Sequence, residues 1–163
     1  MNQKTPFKKI RGAAIADQLV WIILTVAVLG FIISLVPQAK YMLNVSAFQS
    51  DVSTISSATY NWKKRRPNYA KVSIQKLCSD NYLSNSICGD SNDGKSTNPF
   101  GGDWTVTPNA NPGLYNITAT LPNDTDHINE LADTMAPATR SNCSESDSCD
   151  TLTKTTNSIT MTF

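Results

Sequence analysis

The sequence predicts an α+β protein: one long N-terminal helix, half transmembrane and half amphipathic, packed on an antiparallel sheet head with short helices and disulfide-tied loops. Three observations lead to this expectation. Apolar residues crowd into one stretch near the N-terminus, and an apolar stripe at helical spacing follows it. The remainder alternates apolar and polar residues in short runs separated by Gly, Pro and Asn. A length of 163 residues suits one modest domain plus an additional element.

Residues 19–36 carry no formal charge, and Thr25 and Ser34 are their only polar members. At about 1.5 Å per residue, a helix over this stretch reaches roughly 27 Å, close to the thickness of a bilayer core. A secretory signal cut after its apolar region fits poorly, because the run is long and no small-x-small site follows it. An ordinary signal anchor remains the plain alternative. Lys4, Lys8, Lys9 and Arg11 lie in the first twelve residues, which contain no acid, and these cations ahead of the run place the N-terminus in the cytoplasm and the rest outside. Beyond residue 12 the chain holds ten basic and thirteen acidic side chains. That balance argues against nucleic acid as the main partner, since phosphate binding needs a basic face.

The basic cluster Lys8-Lys9-Ile10-Arg11 closes in Gly12, and Asp17 lies five residues past that glycine. This arrangement resembles the class III leader of type IV prepilins. The resemblance implies that a prepilin peptidase cuts after Gly12, that Ala13 becomes an N-methylated N-terminus, and that Asp17 is the acid at the fifth mature position. The family usually has Phe or another large apolar residue where this chain has Ala13, and Glu where it has Asp17. A carboxylate at full membrane depth costs a few kcal/mol unless a partner charge neutralises it. The resemblance implies such a partner, the Ala13 amine of an adjacent subunit, and so makes Asp17 an assembly contact. The structural alternative for Asp17 is an N-terminal helix cap at the membrane surface. The expected division is a leader over 1–12, a transmembrane or filament-core half of the helix over 13–37, an amphipathic half over 38–66, and a globular head over 67–163.

Past Pro37, Tyr41, Val45, Phe48, Val52, Ile55, Thr59 and Trp62 recur at alternating spacings of four and three. They form an amphipathic stripe broken only by Thr59. One helix is therefore expected from about Ala14 to about Lys64, kinked at Pro37 and with a second weak point at Gly30. Lys63-Lys64-Arg65-Arg66-Pro67 closes it, with cations against the helix dipole and proline as the stop.

A short helix containing Cys78 is expected within residues 72–83, followed by a polar loop at 89–94. That loop matches no EF-hand spacing and lacks its terminal Glu, so no metal is expected there. Asn98-Pro99-Phe100-Gly101-Gly102 reads as a turn leading into a strand from Trp104. Tyr115, Ile117, Ala119 and Leu121 then share one face of a second strand, completing a hairpin. A helix is expected over 124–135, capped by Asp124 or Thr125 and burying Ile128, Leu131, Ala132 and Met135. Ile159, Met161 and Phe163 mark a terminal strand. This order of elements resembles the larger type IVb pilins, and a turn of the Asn-Pro-aromatic-Gly kind often leads into the first strand of pilin heads.

Cys78, Cys88, Cys143 and Cys149 all follow the apolar run. In an oxidising compartment their even number reads as two disulfides, with three connectivities open. The local pairs Cys78–Cys88 and Cys143–Cys149 cost the least loop-closure entropy. The lone His127 has no zinc spacing around it, and no nucleophile set, phosphate-binding loop or dinucleotide fingerprint occurs. No cofactor and no enzymatic activity are expected. The expected function is that of a pilus subunit: held in the inner membrane by lipid with its C-terminus periplasmic, then polymerised with copies of itself by the pilus assembly machinery into an extracellular filament that contacts a host or recipient cell surface. The alternatives are a minor pilin or type II secretion pseudopilin and, in another class, a monomeric membrane-anchored periplasmic binding domain.

Overall fold

The computed structural model describes residues 18–163 in full and, for residues 11–17, only their place in the first helix. Helix α1 spans Arg11–Lys63 with Pro37 inside it. Two short helices follow, α2 (Ile74–Ser79) and α3 (Asn85–Cys88). The hairpin is β1 (Trp104–Pro108) and β2 (Tyr115–Thr120), and then come α4 (Ile128–Met135), β3 (Leu152–Lys154) and β4 (Ser158–Thr162). The protein is α+β, as its sequence predicts. The described residues divide into two units, one ending at Tyr41 and the other spanning Met42–Phe163.

In the second unit the four strands pair antiparallel in the order β1-β2-β4-β3, so the C-terminal strand lies inside the sheet. Alternation sets which face is buried. Trp104 and Val106 of β1, Tyr115, Ile117 and Ala119 of β2, and Ile159 and Met161 of β4 are all buried, while Thr105 and Thr107 are exposed. The expected stripe of α1 is buried from Phe48 through Val52, Ile55, Thr59 and Trp62. Phe48 meets Trp104 at 4.7 Å and Phe100 at 5.6 Å between ring centroids, which joins helix, sheet and turn in one aromatic cluster. Thr59 is tolerated within the stripe because its hydroxyl donates to the Ile55 carbonyl at 2.7 Å.

The Asn98 turn is organised by one buried amide. Its Oδ1 accepts from the N–H groups of Phe100 (2.9 Å) and Gly102 (3.1 Å), and its Nδ2 donates to the Thr120 carbonyl (2.8 Å). Gly101 has φ +79°, and a Cβ at Gly102 would strike the Thr120 carbonyl oxygen. Both glycines are therefore needed for the turn to lie against the end of β2.

Several boundaries differ from expectation. α4 starts at Ile128, with no side-chain cap from Asp124 or Thr125. The Asp124 carboxylate instead pairs with His127 Nδ1, and His127 sits just before the helix. α2 is shorter than the 72–83 window because Ser73 caps it through the Lys76 N–H and Asn81 turns the chain at φ +58°. α3 and the three-residue β3 are too short to leave a periodic signal.

Candidate functional site

The largest unusual surface belongs to the first half of α1. Leu19, Trp21, Ile23, Phe31 and Ile33 are 53–68% exposed, and from residue 19 to residue 36 fourteen large apolar side chains face outward. They occupy every side of the helix, so no single packing face could cover them. Removing a large apolar side chain from water is worth about 1.5–3 kcal/mol, so this surface represents tens of kcal/mol of unsatisfied burial. The segment lies in the one helix among the described residues that is long and apolar enough to cross a membrane. Its two hydroxyls make no demand on outside partners: Thr25 donates to the Trp21 carbonyl and Ser34 to the Phe31 carbonyl, each at 2.7 Å. Internal satisfaction of polar groups is what an apolar environment requires. A Cβ at Gly30 would meet nothing within 4 Å, so packing within one copy of the chain gives no reason for glycine there.

Gly12, Ala13 and Asp17, singled out by the leader resemblance, fall in the first turns of α1, where only the helical backbone is described.

All four cysteines are in the head, and they pair locally. Cys78–Cys88 ties α2 to α3 with Cα atoms 5.6 Å apart, and both residues are fully buried. Cys143–Cys149 closes the loop after α4, with Cα atoms 5.5 Å apart. Loops of this size stabilise by about 2–3 kcal/mol each in the chain-entropy account.

The basic run at the end of α1 is partly absorbed by its surroundings. Arg66 donates to the Trp62 carbonyl at 2.7 Å, lies over the Trp62 ring at 4.0 Å, and pairs with Asp80 at 3.2 Å. Asp80 also accepts from Trp62 Nε1 at 3.3 Å. Lys63 and Lys64 sit over the rings of Tyr69 and Tyr60. Sequence reasoning assigned this run to helix termination and missed the lock on Asp80, which is 14 residues beyond Arg66 and carries no local signal. Beside the lock, Trp62, Arg66, Pro67, Lys71 and Lys76 line an open cavity of about 450 Å³.

Tyr115 is the best-buried phenol of the head, bonded to the Ser56 hydroxyl at 2.9 Å. Burial pushes its pKa up to about 12, with the Ser56 hydrogen bond opposing and Tyr69 adding to the rise. It is therefore a neutral structural tie between α1 and β2. In the 89–94 loop Asp93 turns onto Lys95, accepting its N–H at 3.1 Å. Among the described residues no three His, Cys, Asp or Glu side chains converge as a metal site. Comparison with protein-family models, curated proteins and solved structures found no match.

Proposed function

We propose that this chain is a structural subunit of a type IV pilus, of the type IVb kind, made as a prepilin. In this reading a prepilin peptidase cuts after Gly12 and Ala13 becomes the methylated N-terminus. Residues 19–36 then hold the subunit in the inner membrane until the assembly machinery transfers it into the filament. The observation that carries the reading is the division of one helix. Its first half is apolar and exposed on all sides, and its second half buries a stripe in a disulfide-tied head.

A helix apolar all round needs either lipid or other apolar helices. A subunit that moves from membrane to filament core meets both environments in turn. The head, with polar residues on its outward positions, would form the filament exterior and meet a host or recipient cell.

Intact mass spectrometry without reductant, on protein sheared from the cell surface, tests the proposal. The expected species begins at Ala13, with or without one methyl group, and has no free thiols. A chain that begins at Met1 and is confined to membranes would refute it and leave a bitopic anchor carrying an external binding domain.

A further inference from the structure

The head carries its charges unevenly. Between Asp51 and Asp80 there is no acidic residue, while Lys63, Lys64, Arg65, Arg66, Lys71 and Lys76 all fall within that interval. Arg65, Lys71 and Lys76 make no ion pair among the described residues, and the one acid at the end of the interval, Asp80, is already held by Arg66. Between residues 124 and 150 the balance is reversed: seven acids face one arginine, Arg140. Asp126, Glu130, Glu145 and Asp150 are exposed and make no ion pair among the described residues.

Sheet order separates the two regions. α2, which carries Lys76, packs against β1, whereas α4, which carries Glu130, packs against β3, β4 and the turn at 146–148. In the order β1-β2-β4-β3, β1 is one edge, while β4 and β3 make up the opposite side. Two to three strand spacings amount to roughly 10–14 Å, beyond a Debye length of about 8 Å at physiological salt. The two charges therefore do not neutralise each other within one molecule. The basic side is also concave, since Lys71 and Lys76 line the cavity beside Trp62 and Arg66.

We infer that the head docks on a second copy of this chain, the basic side around Lys71 and Lys76 of one copy receiving the acidic side around Glu130 and Asp150 of the next. A contact between two different surfaces on opposite sides of the sheet is heterologous, so each added copy presents a fresh acceptor and copies add head to tail beyond a dimer. The inference rests on the reading of the protein as a self-assembling subunit and names the surfaces that would orient its heads.

Full-length protein in the membranes of producing cells, treated with a zero-length carbodiimide, provides the test, because the reagent joins a lysine amine to a carboxylate only in direct contact. The expected product is a ladder of dimers, trimers and larger species containing peptides that link Lys71 or Lys76 to Glu130 or Asp150. Lys71→Glu with Lys76→Glu should lower the ladder about tenfold, and Glu130→Lys with Asp150→Lys should do the same. All four substitutions in one chain should restore it. Links that fall elsewhere, a product that stops at dimer, or a four-fold variant that keeps both disulfides yet stays unlinked would overturn the inference. So would a Lys71/Lys76 reversal that spares the ladder but abolishes retention on a heparin matrix, which would assign the basic side to an anionic ligand. A ladder with these links but no extracellular filament would refute the pilus reading alone, and filaments linked through other residues would refute the docking alone.

Discussion

The Asp133 carboxylate of α4 accepts both the N–H of Ser146 at 2.9 Å and its hydroxyl at 2.6 Å. One acid on a helix thus fastens the loop closed by Cys143 and Cys149. Lys154 of β3 completes the arrangement, donating to the Ser146 hydroxyl at 3.1 Å and pairing with Asp147. The result is a polar clasp joining α4, the loop and the edge strand.

Acid should open this clasp. The two hydrogen bonds from Ser146 hold the Asp133 carboxyl below the ordinary carboxylate range, with Lys154 adding to the effect. A lowered folded-state pKa contributes stability that is present above the unfolded value of about 3.9 and is lost as pH falls through the folded value. Asp133→Ala is therefore expected to lower the denaturant midpoint at pH 7, and the gap to the parent chain should narrow below about pH 4. A gap that is constant across this range would separate the clasp from the ionisation of Asp133.

Asn98→Ala should be among the most damaging substitutions in the head. It strands the N–H groups of Phe100 and Gly102 and the carbonyl of Thr120 in a buried turn. Unsatisfied buried groups cost about 1–3 kcal/mol each, so a loss of about 3 kcal/mol is expected in urea unfolding. Asn98→Asp should not recover it, since the carboxylate keeps the Oδ1 acceptor but sets a second, charged oxygen against the Thr120 carbonyl in a buried turn.

Replacing Cys78 and Cys88 together by Ser is expected to cost about 2–5 kcal/mol. The replacement for Cys143 and Cys149 should cost less, because the Asp133–Ser146 bonds and Thr139, whose hydroxyl meets that of Thr151 at 2.8 Å, still hold the second loop. Thermal unfolding of the two variants compares them directly, and the same variants should give lower filament yield under the proposed function.

Asp17→Ala separates maturation from assembly. Under the proposed function the variant is still cut after Gly12 and stays in the membrane, but sheared filament yield falls at least tenfold. A processed variant that builds filaments at the parental level would remove Asp17 from the assembly contact and leave it as a helix cap.

Much of this fold was legible because its signals are local and periodic. The fourteen large apolar residues between positions 19 and 36, the stripe from Phe48 to Trp62, and the alternation in β1, β2 and β4 each specify a buried or exposed face by spacing alone. The turn at Asn98 was visible from its Pro and Gly residues, although the central role of the Asn98 amide was not. Three connectivities were open to the four cysteines in the sequence, and the tertiary structure pairs them locally. The start of α4 was misplaced because Asp124 bonds His127 instead of capping the helix, a choice between two short-range partners that composition does not rank. Tertiary structure alone inserted β4 between β2 and β3, set Arg66 and Trp62 on Asp80, and packed α2 with Lys76 on β1 but α4 with Glu130 on β3 and β4. Those relationships join residues distant in sequence, and their energies arise only once the chain has closed on itself, so no local pattern encodes them.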